Sequence, residues 1–153
     1  MIPFRSQPSV PRLPEGYTLL ESPQPQPEAL NRLLSLMGDP TRSPERWELV
    51  LERSLWHLAV LNPEEQWVGF IRATSDRALN ANLWDLSADP GDVHQSAVLM
   101  VLVHGALTRL RRELGGCSIS LSAPPEAIGA LERHGFLVDP GGIRAMGLKL
   151  NAG

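Results

Sequence analysis

The sequence predicts an α+β fold built on one mixed sheet, and three observations carry that reading. Three strand-like runs follow one another between residues 55 and 88, the first two joined by a tight turn. One long helical pattern, from about His94 to Leu114, separates them from the next strand. The chain has 153 residues, the size of a single domain that buries a core without disulfide or metal staples. Short turns force antiparallel pairing, whereas a helical crossover of that length permits a parallel step.

Seven of the fourteen prolines fall within the first 27 residues, so residues 1–16 read as an extended Pro-rich arm and residues 17–153 as the domain. Tyr17 to Ser22 reads as a strand. Pro27 opens a helix that carries Leu30, Leu33, Leu34 and Met37 on one face and stops at Gly38. Ser43, Pro44 and Glu45 supply the N-cap, first residue and acidic first turn of a second helix. Residues 55–62, 66–74 and 81–88 form an antiparallel meander that Asp89-Pro90-Gly91-Asp92 breaks. After the long helix, Gly115-Gly116 leads to a strand at 117–123, Pro124-Pro125-Glu126 starts a short helix to His134, and Ile143 to Leu150 reads as a final strand. The predicted order is β-α-α-β-β-β-α-β-α-β. Its one parallel step joins strands 81–88 and 117–123, and a ligand would enter where those two part.

Composition narrows the function. Net charge is −3, and Arg supplies thirteen of the fourteen basic side chains. Arg109, Arg111 and Arg112 beside Glu113 read as a solvated helix end, so nucleic acid is not an expected partner. Cys117 is the single cysteine and reads as a small core residue, which with the absence of a pairing partner points to a reducing, cytoplasmic or stromal setting. The longest apolar run, Ala97 to Val103, is far short of a bilayer span, and the first residues lack the apolar core of an export signal. His57, His94, His104 and His134 lack zinc-ligand spacing, and no metal is expected. Trp47, Trp56, Trp67 and Trp84 read as core residues before ligand platforms.

The element order, the Ala88-Asp89-Pro90 exit from the fourth strand and Gly135-Phe136 after the last helix resemble the GCN5-related N-acetyltransferase (GNAT) superfamily. Two segments, ATSDRALNANLWD (73–85) and GFLVDPGGI (135–143), resemble its plastid and cyanobacterial branch. The resemblance covers about residues 17–150. It implies the GNAT fold, acetyl-CoA as donor and acetyl transfer to an amine. It equally admits a non-catalytic relative, a pseudoenzyme that binds protein and is associated with the photosynthetic apparatus.

Three devices of that family locate the candidate residues. The first is a diphosphate cradle, Gln/Arg-x-x-Gly-x-Gly/Ala, whose main-chain N–H groups gather at a helix start. It falls on Val93 to Val98, where neither glycine is present. Gln95, Ser96, Ala97 and Val98 are the candidate contacts, and Val98 sets a branched side chain where main chain would meet phosphate. Acetyl-CoA binding is therefore expected to be weak or absent. The second is a bulged fourth strand whose main chain polarises the thioester carbonyl. It falls on Leu86, Ser87 and Ala88. Asp85, just before, shares a face with Leu83 and Ser87 by strand alternation; it serves either as the base for an incoming ammonium or as the ion-pair partner of Arg72. The third is a general acid, usually tyrosine, whose position falls on Leu131; Tyr17 lies elsewhere, and His134 is the titratable alternative or merely a helix cap. Finally, Leu99 and Val103, with Met100 alongside, occupy helix positions where the family tolerates charge, which predicts a patch covered by the arm, a homodimer or another protein.

Overall fold

Leu30, Leu33 and Leu34 are buried on one face of α1 (Pro27–Ser35), which Pro27 opens at a position where its missing N–H leaves no bond unmade. The computed structural model describes residues 9–151. Its remaining elements are β1 (Thr18–Glu21), α2 (Pro44–Arg53), β2 (Trp56–Leu61), β3 (Trp67–Ser75), β4 (Asn80–Ala88), α3 (Gln95–Glu113), β5 (Ser118–Leu121) and α4 (Ile128–Arg133), the last entered through a 3-10 turn at Pro125–Ala127. Ser43 caps α2 by accepting a hydrogen bond from the Arg46 N–H at 3.3 Å.

The strands lie in the order β1-β2-β3-β4-β5. Neighbours are antiparallel except β4 and β5, which are parallel because α3 carries the chain back across the sheet. Alternation along β2 and β3 sends Leu58, Val60 and Ile71 toward α3, and Ala59 and Phe70 toward α1 and α2. The α1/α2 layer is tied by Asn31, whose carboxamide accepts from Trp47 Nε1 at 2.8 Å and exchanges two bonds with the Arg42 main chain. On the other face, Gly69 marks the closest approach of helix to sheet. A Cβ there would lie 2.5 Å from Val98 Cγ1 and 3.0 Å from Leu102 Cδ1.

Two expectations change. Ile143 to Leu150 is not a strand: it pairs with nothing and is exposed, Met146 to 96%. The alternating pattern is a local signal, whereas a strand needs an edge to bond; left-handed residues at Asp139, Gly141 and Gly142 turn the chain just before this segment. Leu99 and Val103 are not a surface pair either, being 3% and 0% exposed, while Met100 is half-buried. Helix α3 packs on β2, β3 and β4 and on α4 with its preceding turn, and Leu13 and Tyr17 join the same cluster, so core surrounds the apolar run. A docking face built on Leu99 and Val103 therefore has almost no exposed atoms. The arm, residues 1–16, has its first eight residues outside the described residues; the rest carries no helix or strand and packs Leu13 onto the core. Among the described residues no helix is long and apolar enough to cross a membrane.

His57 is a buried polar exception in β2. Its Nε2–H donates to the Pro23 carbonyl at 2.9 Å, and burial pushes its pKa below the ordinary 6.5. The folded chain therefore keeps a neutral imidazole that the unfolded chain protonates first, so this contribution is complete above about pH 6.5 and is lost as pH falls through the lowered value. Unfolding by urea from pH 7.5 to about pH 5 should show stability falling more steeply for the wild type than for His57→Gln; parallel slopes would exclude His57 as the source.

Candidate active site

Parallel pairing of β4 with β5 runs from Asn80–Ser118 to Leu83–Leu121 and ends there. Beyond it β4 remains bonded to β3 alone, and its main-chain groups on the β5 side stand outside any ladder. At that point β4 bulges. Arg72 faces Trp84 and Phe70 faces Ser87, so Asp85 and Leu86 together oppose the single residue Ile71. Asp85 supplies the kink with φ of 59°, a left-handed conformation that Asp tolerates better than most residues. The Ser87 hydroxyl secures it by donating to the Asp85 carbonyl at 3.0 Å.

The bulge also changes which face Asp85 occupies. Strict alternation would place it with Leu83, but Leu83, Leu86 and Ala88 all join the α3 core. Asp85 instead turns to the face of its cross-strand neighbours, where Arg72 Nε donates to its Oδ2 at 2.6 Å. The Arg72 guanidinium lies 5.6 Å from the Trp84 ring, and Trp84 Nε1 donates to Thr74 Oγ1 at 2.7 Å. Trp47, Trp56 and Trp67 are core residues as expected, whereas Trp84 is 42% exposed and forms part of the site. The hydrogen bond from Arg72 engages Oδ2 and leaves Oδ1 for a second donor.

A cavity of about 510 Å³ opens in front of the bulge. Its walls come from the end of α1 and the following loop (Leu36, Met37, Asp39), from Leu83 to Ser87, and from the chain leaving β5, including Glu126. Asp39, Asp85 and Glu126 bring three carboxylates to the lining, which contains no Lys, Arg or His. A second cavity of about 480 Å³ shares Leu83, Trp84, Ser122 and Ala123 with the first and continues between β5 and α4, lined by Ile119, Leu131 and Phe136. Asp39 and Glu126 escape sequence reasoning because nothing local marks them; only the parting of the strands brings their loops together.

The start of α3 is built differently. Val98 is fully buried against Gly69, so it does not obstruct the outer side as its branched shape predicts. Gln95 is turned inward, its Nε2 donating to the Ala88 carbonyl at 3.2 Å. Ser96 and Ala97 lie in the first turn, where N–H groups have no intrahelical acceptor. Ahead of them in the chain is Asp92, which sequence reasoning treats only as part of a strand-breaking loop. Its carboxylate accepts from the His94 N–H at 2.8 Å and from the Tyr17 hydroxyl, 2.9 Å from either oxygen. His134 lines neither cavity: its Nδ1–H donates to the Ala130 carbonyl at 2.8 Å, a helix-end contact, and its ring faces His104. Leu131, at the position of the usual acid, is buried.

Tested against acetyl-CoA, the two halves disagree. The open side of β4 beyond Leu83 offers main chain to a thioester carbonyl. The start of α3 does not suit a diphosphate, because an uncompensated carboxylate already stands there.

No family model matches the chain. It is 32% identical over 122 residues to the chloroplastic GCN5-related N-acetyltransferase 1 of Arabidopsis thaliana, a match covering 78% of this chain and 60% of that protein. It is 30% identical over 121 residues to the uncharacterized N-acetyltransferase ycf52 of Porphyra purpurea, covering 76% of this chain and 68% of the relative. The chain thus spans well under two thirds of the Arabidopsis protein, and 36% of a soybean relative. Among solved structures, a probable acetyltransferase from Staphylococcus aureus superposes with a TM-score of 0.72 at 16% identity, over 88% of this chain and 99% of that one. The fold is shared at an identity too low to carry function.

Because Val98 fills the space over Gly69, Val98→Ala should lower stability by about 1–3 kcal/mol through the cavity it opens. Urea denaturation measures this; an unchanged midpoint would place Val98 outside the core.

Proposed function

From the premise that this chain belongs to the GCN5-related N-acetyltransferase family, with relatives in plastids, we propose that it acetylates a primary amine that binds as an ammonium ion. One observation carries the reading: Asp85 stands at the β4 bulge, in a cavity lined by three carboxylates and no basic side chain. Such a lining attracts a cation and repels an anionic acceptor.

GNAT acetyltransferases use acetyl-CoA, which supplies an acetyl thioester. The chain's own contribution starts with Asp85. Oδ2 is held by Arg72, and in the proposed reaction Oδ1 takes the proton of the acceptor ammonium, which frees the lone pair that attacks. Ser87 and the cross-strand pair of Arg72 with Trp84 keep the bulge and the carboxylate in place. In the stretch from Leu86 to Ala88, main-chain groups that point away from β3 are left without a strand partner, and an N–H among them would stabilise developing negative charge on a carbonyl oxygen. Among the described residues the family's usual acid position is the buried Leu131 and His134 lines neither cavity, so proton donation to a leaving thiolate would have no assigned side chain and turnover would be slow. The donor is held weakly, with a dissociation constant above about 0.1 mM, equivalent to roughly 5.5 kcal/mol or less.

A second reading is favoured by the buried Leu131 and by Asp92 at the α3 start. In it the fold persists as a non-catalytic, protein-binding subunit, in a plastid-type or cytoplasmic setting. Calorimetry with acetyl-CoA separates the two: heat that saturates at millimolar ligand supports the donor site, and no heat supports the binding module.

Asp85→Asn should reduce acetylation of a small primary amine by about a hundredfold, the usual scale for a general base, while acetyl-CoA affinity stays the same. The isosteric amide retains an oxygen for Arg72, so the melting temperature should move little. Normal stability with an undiminished rate would remove Asp85 from the reaction.

A further inference from the structure

Asp92 is the carboxylate that the acceptor site does not use. It lies ahead of α3 and is absent from the walls of the acid-lined cavity. Two groups fix it. The His94 N–H donates to Oδ1 at 2.8 Å, and the hydroxyl of Tyr17, from the start of β1, reaches both oxygens at 2.9 Å. Partial burial and the Asp92 hydrogen bond raise the Tyr17 pKa, so the phenol remains a donor. The His94 ring meets the Tyr17 ring edge-on at 5.5 Å and closes the cluster.

Both groups that fix Asp92 are uncharged donors. Among the described residues no Arg, Lys or His side chain lies within ion-pair distance of it; Arg32, on the neighbouring α1, is engaged by Asp89 at 3.3 Å. Glu64 adds further negative charge on the Tyr17 side. A fixed negative charge therefore stands before a helix of 19 residues whose first-turn N–H groups and dipole would otherwise favour an anion.

Resting on the donor reading above, we infer that Asp92, held by Tyr17, is a specificity-determining residue that cancels the anion site at the start of α3. The thioester donor is then recognised through its pantetheine arm, and its diphosphate contributes nothing to affinity. Removing the charge restores the site.

The test compares coenzyme A with pantetheine, which lacks the diphosphate, by calorimetry on the full chain. Wild type should bind the two within about threefold of each other. Asp92→Asn, which keeps an oxygen for the His94 N–H, should bind coenzyme A about tenfold more tightly and pantetheine unchanged, as expected when one nearby like charge is removed. Asp92→Ser, also able to accept from that N–H, provides the same comparison should the amide variant fold poorly. Three outcomes overturn the inference. If wild type binds coenzyme A far more tightly than pantetheine, or if the substitutions leave coenzyme A affinity unchanged, Asp92 has no such role and the acetyl-transfer reading stands. If no form binds either ligand, the donor reading fails with it.

Discussion

The constraint on which the site depends is that β4 has hydrogen-bonding neighbours on both sides only as far as Leu83. Backbone groups taken from water need partners, and a strand that loses one neighbour offers those groups to a ligand. Two features produce the loss. β5 is only four residues long, and Pro124 and Pro125, just beyond it, cannot donate to a continuing ladder. On β4 itself, the left-handed Asp85 adds a residue against Ile71 and tilts the rest of the strand. Arg72 and Ser87 then act as braces, since each bonds to Asp85 at the bulge, and Trp84, bonded to Thr74 in the regular ladder, flanks it. Gly69 completes the frame by letting Val98 seat on β3, which sets the depth of α3 and so the position of its first turn.

Five aspartates show how surroundings assign different duties to one side chain. Asp76 closes the β3–β4 turn by accepting from the N–H groups of Ala78, Leu79 and Asn80, and those bonds hold its pKa below the ordinary range. Asp89 is bonded to Arg32 and to the Gly91 N–H, fastening the exit of β4 to α1. Asp85 is paired with Arg72 through Oδ2 and belongs to the cavity lining. Asp39 and Asp92 have no cation within ion-pair distance among the described residues. The charge that remains is therefore negative in two places. In the cavity at the β4 bulge it suits a cation, and at the α3 start it disfavours an anion.

Helix α3 shows how a local pattern misleads when the number of neighbours is unknown. Its apolar run from Ala97 to Val103 predicts one core face and one spare face. In the fold, sheet, α4 and the segment through Leu13 and Tyr17 bury Val98, Leu99 and Val101 to Val103, and only Ala97 and Met100 of the run stay partly open. The same limit explains Val98. A branched residue in a phosphate loop reads as an obstruction, but the helix turns it toward Gly69, and the obstacle is Asp92 instead. In Ile143 to Leu150 the error has the opposite sign: alternation promised a strand, and no edge received it.

What the sequence determined by itself is local. Pro27, Ser43 and Pro44 start the first two helices, short turns make the meander, the long crossover makes β4 and β5 parallel, and the two segments 73–85 and 135–143 identify the family. These follow from backbone dihedrals, capping and periodicity, which act over a few residues. The tertiary structure alone decided that Asp85 leaves the face of Leu83 for that of Arg72, that Asp39 and Glu126 meet it across a cavity, and that Tyr17 fixes Asp92 at a helix start 75 residues away. Each of these depends on hydrogen bonds or charges between segments distant in the chain, and a distance through space is not a property that any short stretch of sequence carries.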